Sequence, residues 1–202
     1  MLKPIKFIFD LDGTVTAEET LPLIAKYFNI PEEIATITKE TIQGNIPFVE
    51  SFIRRVQILG KLPVSEISSL LENVKLYPLL LNFIQQNYEN CFIATGNLQC
   101  WVNKLIKKIG CKAFCSEAYV ENDYVVQLTK ILRKESIVEN FQNAGYKVVY
   151  IGDGNNDSEA MRLADIAIAV GLTHYPSKSL LPVSDYLIFN EKALCRQLNQ
   201  LL

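Results

Sequence analysis

Short apolar runs alternate with helical patterns over most of this chain, and that alternation leaves few folds open. Lys6-Phe-Ile-Phe9, Cys91-Phe-Ile-Ala-Thr95, Lys147-Val-Val-Tyr-Ile151 and Ile166-Ala-Ile-Ala169 read as strands. The runs near 91 and 147 are apolar throughout, as strands buried on both faces are. Helical patterns cover Pro78 to Tyr88, Leu98 to Ile109, Lys134 to Ala144, Asp157 to Leu163 and residues 191 to 201. Lys112 to Cys115 and Tyr186 to Phe189 are shorter strand candidates. Glu121-Asn-Asp123 reads as a hairpin tip between Tyr119-Val120 and Tyr124-Val126. Apolar strands separated by helices predict an α/β protein, a Rossmann-like parallel sheet with helices on both faces.

One region breaks the alternation. Thr16-Ala-Glu-Glu19 reads as a capping box opening a helix that carries Leu21, Leu23, Ile24, Tyr27 and Phe28. Pro31 starts a second helix, expected to run to Gly44. Pro47 starts a third, with Phe48, Phe52, Val56 and Leu59 on one face and Gly60 as its stop. Pro63 starts a fourth through Ile67, Leu70 and Leu71. Helices from about 17 to 74 with no strand between them form a separate helical block.

Composition narrows the function classes. The chain has 202 residues, 49% of them hydrophobic and 21% charged, with a net charge of -2. That profile is ordinary for a soluble globular protein and predicts neither a nucleic-acid nor a membrane partner. The chain enters a strand within a few residues of Met1, so no signal peptide is expected. The five cysteines are odd in number and form no Cys-x-x-Cys, which predicts reduced thiols and a cytoplasmic location. Cys111 and Cys115 lack companion ligands for zinc. His174, the only histidine, reads as a loop residue.

In folds of this kind, ligands bind beyond the carboxyl ends of the strands. Asp10 and Asp12 end the first strand, with Gly13 to bend the chain and Thr14 beside them. Thr95-Gly96 ends the strand from 91. Gly152-Asp153-Gly-Asn-Asn156-Asp157 follows the strand from 147, and Lys134 opens the helix before it. All should converge on one edge of the sheet. Acidic groups there suit a hard cation, and a hydroxyl, a lysine and free N–H groups suit a phosphate.

These residues, in this order, resemble the haloacid dehalogenase superfamily of phosphohydrolases, over nearly the whole chain. Within it the sequence is most similar to the phosphoserine phosphatase group, whose small helical cap is inserted after the first motif. The resemblance implies a catalytic core of residues 1–15 and 75–202 and a helical cap of residues 16–74. It implies a magnesium-dependent phosphomonoesterase acting on a small phosphorylated metabolite through an aspartyl-phosphate. Asp10 would be the nucleophile and Asp12 the acid and base. Thr95, Lys134, Gly96 and Asn156 would hold or orient the phosphate. Mg²⁺ would sit on Asp10, on the Asp12 backbone carbonyl and on Asp153, with Asp157 behind them. Glu19 and Arg55 would meet the ammonium and carboxylate of phosphoserine.

From the residues themselves, several of these positions have a second reading. Glu19 is also the expected N3 residue of the capping box with Thr16. Arg54 competes with Arg55, and Arg133 with Lys134. Asp157 can cap the helix it precedes. Two departures concern the substrate: the group usually has Ser-Gly-Gly where this chain has Thr95-Gly96-Asn97, and many members have serine where Gly13 stands. A phosphatase for a sugar phosphate or a methionine-salvage intermediate, and a catalytically silent phosphate-binding module, are the alternatives.

Overall fold

A computed structural model describes residues 3–42 and 45–202, without the side chains of Pro31, Ile42 and Phe48. Gly44, the expected end of the second helix, and the Phe48 side chain lie outside the described residues. Seven strands form one sheet in the order β4-β3-β2-β1-β5-β6-β7. β1 (Ile5–Phe9) lies between β2 (Cys91–Leu98) and β5 (Lys147–Gly152), and both pair with it in parallel. β6 (Ile166–Val170) and β7 (Tyr186–Ile188) continue the sheet in parallel on one side. On the other side, β3 (Lys112–Glu121) pairs in parallel with β2 and antiparallel with β4 (Tyr124–Lys130).

The apolar strands are explained by two cores, one on each face. Phe7, Phe9, Ile93, Val149, Ile151, Ile168 and Val170 point one way. Ile8, Ala94, Val148, Tyr150, Ala167 and Ala169 point the other. Successive side chains on a strand alternate sides, so a strand covered on both faces must be apolar at every position. α7 (Lys134–Asn143) and α8 (Ser158–Leu163) cover the second face through Ile137, Val138, Ala160 and Met161. α5 (Pro78–Gln86), α6 (Gln99–Ile109) and α9 (Glu191–Leu201) contribute to the first.

The helical block is α1 (Thr20–Tyr27), α2 (Pro31–Ile42), α3 (Phe48–Leu59) and α4 (Val64–Glu72). The chain enters and leaves it side by side. Thr16 and Leu76 form an antiparallel bridge, the Ala17 N–H donates to the Lys75 carbonyl at 2.8 Å, and Tyr77 N–H donates to Val15 at 3.2 Å. The block has no separate core: Ile24, Ile34, Phe52, Ile67 and Leu71 belong to the same apolar cluster as Phe7 and Ile93. α4 packs along α6.

Three details depart from expectation. The first helix begins at Thr20, with Glu19 at its N-cap and no side-chain cap from Glu19. Thr16 is spent elsewhere; its hydroxyl accepts from Gly13 N–H at 3.2 Å. The cap comes from Asp12, whose Oδ1 accepts from Thr20 N–H at 2.9 Å. Glu19 is therefore not a capping-box residue. Secondly, β2 does not stop at Thr95. Ala94 pairs with Phe114 and Leu98 with Ser116, so Thr95, Gly96 and Asn97 bulge opposite Cys115 alone. Thirdly, the hairpin strands run far beyond the short stretches predicted from sequence.

The hairpin tip is a clamp. Asn122 and Asp123 have φ of 51° and 72°, the left-handed pair of a tight two-residue turn. The Asp123 carboxylate accepts from Ser65 N–H at 2.9 Å and from Ser65 Oγ at 2.6 Å, capping α4. Asp123→Ala removes both bonds and leaves a β-carbon in a left-handed turn, so a loss of about 1–3 kcal/mol is expected in urea denaturation. Asp123→Gly, free of the backbone strain, should cost less. Equal stability of both variants and the parent would mean that the clamp contributes nothing.

Candidate active site

The loops after β1, β2, β5 and β6 meet at the carboxyl edge of the sheet. Asp10 leaves β1 with its N–H bonded to the Ile151 carbonyl at 2.8 Å. Gly13 follows with φ 71°, a backbone that only glycine adopts without strain. A β-carbon there would also stand 2.7 Å from Asp153 Oδ2, so glycine is required twice. Thr14 turns inward, and its hydroxyl donates to Asp153 Oδ1 at 2.5 Å.

Lys134 is the buried cation against Asp10. Its Nζ lies 2.7 Å from Asp10 Oδ1 and 2.7 Å from Asp157 Oδ1. Arg133 does not compete, because it is exposed and pairs with Glu135 at 2.7 Å. Asp157 is fully buried and saturated. It also accepts from Tyr150 Oη at 2.8 Å, Gly154 N–H at 2.9 Å and Asp153 N–H at 3.2 Å. A β-carbon at Gly152 would come within 2.5 Å of its carboxylate, which accounts for the first glycine of that loop. Asp157 thus ties the lysine, the tyrosine and the loop together.

Asp12 is held from both sides. Thr20 N–H reaches Oδ1, and Asn97 Nδ2 donates to Oδ2 at 2.6 Å. Thr95 is buried beside it, its Oγ1 accepting from Asn97 N–H at 3.1 Å. The β2 bulge carries Asn97 to Asp12, while Thr95 stays buried and does not line the cavity. Gly96, Asn97 and Asn156 line a cavity of about 710 Å³ together with Asp10, Asp12 and Asp153. Glu19 and Arg55 lie on its wall as well. Arg55 is buried, with Nη2 3.3 Å from Thr38 Oγ1 and Nε without a partner among the described residues. Arg54 is exposed and pairs with Glu50.

So many carboxylates in one buried place distort their own acidity. Burial, then Asp157, push Asp10 well above the ordinary carboxylate range, against the pull of Lys134. Burial and the nearby Glu19 carry Asp12 to about 7. Burial raises Asp153 too. Burial works against the Lys134 ammonium, but Asp10 and Asp157 outweigh it and hold the group above its ordinary value. The excess negative charge calls for a further cation. Asp10, Asp153 and Asp157 bring carboxylate oxygens within 4.8 Å of one another, an all-oxygen group that can hold a metal ion.

The sequence alone places His174 in a loop with no role. It does lie in a loop, yet its Nε2 is 2.8 Å from Glu19 Oε1 and 3.1 Å from Asp153 Oδ2. Hydrogen bonds to Asp153 and then Glu19 push its pKa up to about 11. Tyr150, Thr20 and Asn97 also went without assigned contacts. A signal for His174 existed: its loop follows β6, a strand parallel to β5, and so must emerge at the same edge.

A mostly parallel sheet, an acidic cleft at the carboxyl ends of its central strands and a buried lysine against Asp10 have the layout of an α/β phosphohydrolase. The sequence pattern of the haloacid dehalogenase-like hydrolases matches residues 7–165, and the chain belongs to that family. It is 27% identical over 175 residues to the phosphoserine phosphatase of Methanocaldococcus jannaschii, covering 80% of this chain and 83% of that protein. It is 30% identical over 181 residues to the phosphoserine phosphatase of Saccharomyces cerevisiae, covering 81% of this chain and 58% of the yeast protein. A solved substrate-bound phosphoserine phosphatase complex superposes with a TM-score of 0.82 at 23% identity, over 100% of this chain and 99% of that one, and so shares the fold.

Proposed function

We propose that this protein is a magnesium-dependent phosphomonoester hydrolase that works through an aspartyl-phosphate and takes phosphoserine or a similar phosphorylated amino acid. The observation that carries this is the convergence of Asp10, Asp12, Glu19 and Arg55 on one cavity, with Lys134 behind Asp10. Asp10 attacks phosphorus, and the ester oxygen leaves with a proton from Asp12. Water then cleaves the acyl phosphate after giving a proton back to Asp12. Lys134, Thr95 and the backbone N–H groups after Asp10 stabilise the transferring phosphoryl group. Gly96 and Asn156 border it. Asp10, the Asp12 carbonyl and Asp153 would hold Mg²⁺, and Thr14 fixes the Asp153 carboxylate for that task. When bound, the ion supplies the charge that offsets repulsion between Asp10 and a phosphate dianion.

Residues 16–74 act as a cap over the cleft. The paired segments at 15–17 and 75–77 are its two-stranded stem. α4 is fastened to α6 and to the hairpin, so α1 to α3 form the part free to shift over substrate. Among the described residues no helix is long and apolar enough to cross a membrane. All five cysteines are free thiols, which fits the reducing cytoplasm.

Asp12 gives a pH signature. Phosphorylation needs its protonated form, so kcat/KM should fall tenfold per pH unit above its pKa. That value is about 7, and a bound cation lowers it, so the alkaline limb should lie at or below about pH 7. Asp12→Asn should remove the limb along with most of the rate for poor leaving groups. A limb that survives in the variant would move the acid role elsewhere.

The substrate is tested through Arg55. Its guanidinium can bind both oxygens of a carboxylate. Losing a charge-assisted hydrogen bond costs ~1.5–3 kcal/mol, about ten- to a hundredfold in kcat/KM. Arg55→Ala should therefore slow phosphoserine hydrolysis by that factor and leave an uncharged aryl phosphate nearly unaffected. Equal slowing of both makes Arg55 structural. A parent enzyme that prefers a sugar phosphate or a methionine-salvage intermediate would overturn the amino-acid assignment. A parent with no magnesium-supported turnover at all would make it a silent phosphate-binding module.

A further inference from the structure

Glu19 at the start of α1, Asp153 after β5 and His174 after β6 come from three separate elements and meet at one point. The His174 loop is fastened on both sides. Thr173 Oγ1 donates to the Gly13 carbonyl at 3.0 Å, and Ser177 N–H donates to the Asp153 carbonyl at 2.8 Å. His174 Nδ1 lies 2.9 Å from the Tyr175 carbonyl oxygen. A carbonyl only accepts, so Nδ1 carries the hydrogen and Nε2 turns to the two carboxylates. Without a metal, a protonated Nε2 donates to the two carboxylate oxygens at 2.8 and 3.1 Å; a divalent ion would take the place of that proton between the Nε2 lone pair and the carboxylates.

The spacing suits a metal ion. Glu19, Asp153 and His174 each offer one ligand atom, and these lie within 4.8 Å of one another, so small side-chain shifts reach the ~3.3–3.6 Å donor spacing of tetrahedral bonds of ~2.0–2.2 Å. All three atoms gather against Gly13. A β-carbon there would lie 2.7 Å from Asp153 Oδ2, 3.0 Å from Glu19 Oε1 and 3.1 Å from His174 Nε2, so only glycine lets the three side chains come this close together. A hydrogen bond from the second ring nitrogen to a carbonyl is how metal-binding histidines are oriented. The His174 side chain is 44% exposed, which gives an ion a way in.

We propose that His174, Glu19 and Asp153 form a second metal site, selective for a borderline divalent ion such as Zn²⁺ or Co²⁺. Imidazole nitrogen favours those ions over Mg²⁺, which takes oxygen ligands. The site stands whatever the substrate is. It shares Asp153 with the all-oxygen group, and it takes Glu19 from the cavity wall. Zinc bound there acts as an inhibitor that competes with magnesium loading.

The single histidine makes the test direct. In ¹⁵N-labelled, metal-stripped protein, one equivalent of ZnCl2 should shift the imidazole Nε2 resonance and leave Nδ1 protonated, whereas MgCl2 should not produce that shift. Co²⁺ should give visible d–d bands of a nitrogen-containing site, lost in His174→Ala and weakened at least tenfold in affinity in Glu19→Gln. Zinc that binds without moving the Nε2 resonance overturns the proposal. So does a cobalt spectrum unchanged in His174→Ala, or one dominated by the near-ultraviolet bands of thiolate ligands. Failure of these metal-binding tests leaves the hydrolase reading standing, because magnesium-supported ester hydrolysis is measured separately, on the parent protein, from phosphate release.

Discussion

Asp10→Asn should reduce turnover by a factor on the order of 10⁴–10⁶, the scale seen when a nucleophile is removed. The amide keeps the shape of the carboxylate but cannot form an acyl phosphate. Lys134 would remain in place, since its second partner Asp157 is untouched. The fold should not suffer. Burial holds the folded-state pKa of Asp10 well above the ordinary carboxylate value. A group raised in this way stabilises the protein below its unfolded-state pKa and loses that contribution as pH rises through the folded value. At neutral pH ionising Asp10 therefore costs the metal-free protein stability, and a neutral asparagine avoids that cost. The metal-free variant should melt at or above the parent at pH 7, while magnesium should raise the melting temperature of the variant less than that of the parent. Near-normal phosphate release by Asp10→Asn would rule out the covalent mechanism.

The sequence spoke most clearly where a single local rule decides the outcome. Continuous apolar runs made β1, β2, β5 and β6 visible, because a strand covered on both faces has no polar side to hide it. Prolines marked the starts of the second to fifth helices, since each rests at an N-cap or in the first turn. The clustering of Asp10, Asp12, Lys134, Asp153 and Asp157 followed from strand direction alone. What remained hidden depends on contacts between distant residues. The first helix starts at Thr20 because Asp12 caps it from eight positions upstream, and no short pattern records that. Asn97 reaches Asp12 only because β2 bulges against Cys115. His174 meets Glu19 across 155 positions of chain. The hairpin strands were too short on paper because one side faces solvent, which mixes polar residues into them.

Lys134→Met should be the most destabilising of the site substitutions. Methionine matches the length of the lysine stem and stays apolar, so it removes the charge with little change in shape. It leaves Asp10 and the fully buried Asp157 without their shared cation, and stripping one partner from a buried ion pair costs about 3–5 kcal/mol. Arg133 cannot step in, because its side chain is 75% exposed and faces Glu135. The pH dependence follows from two shifts. The folded pKa of Lys134 is raised, so its contribution is complete below the unfolded lysine value near ~10.4 and is lost only above it. Lys134 also restrains the upward shift of Asp10, and without it Asp10 rises further. A carboxylate raised still higher loses stabilisation as pH climbs from about 4, so the deficit of the variant should widen toward neutral pH and narrow in acid. Urea denaturation of metal-free protein at pH 4.5 and pH 7.5 reads this difference. Activity should fall together with stability, because the phosphoryl group loses the same charge. A variant as stable as the parent at pH 7.5 would show that Asp10 and Asp157 do not depend on Lys134, and the buried pair would have to be neutralised by a proton instead.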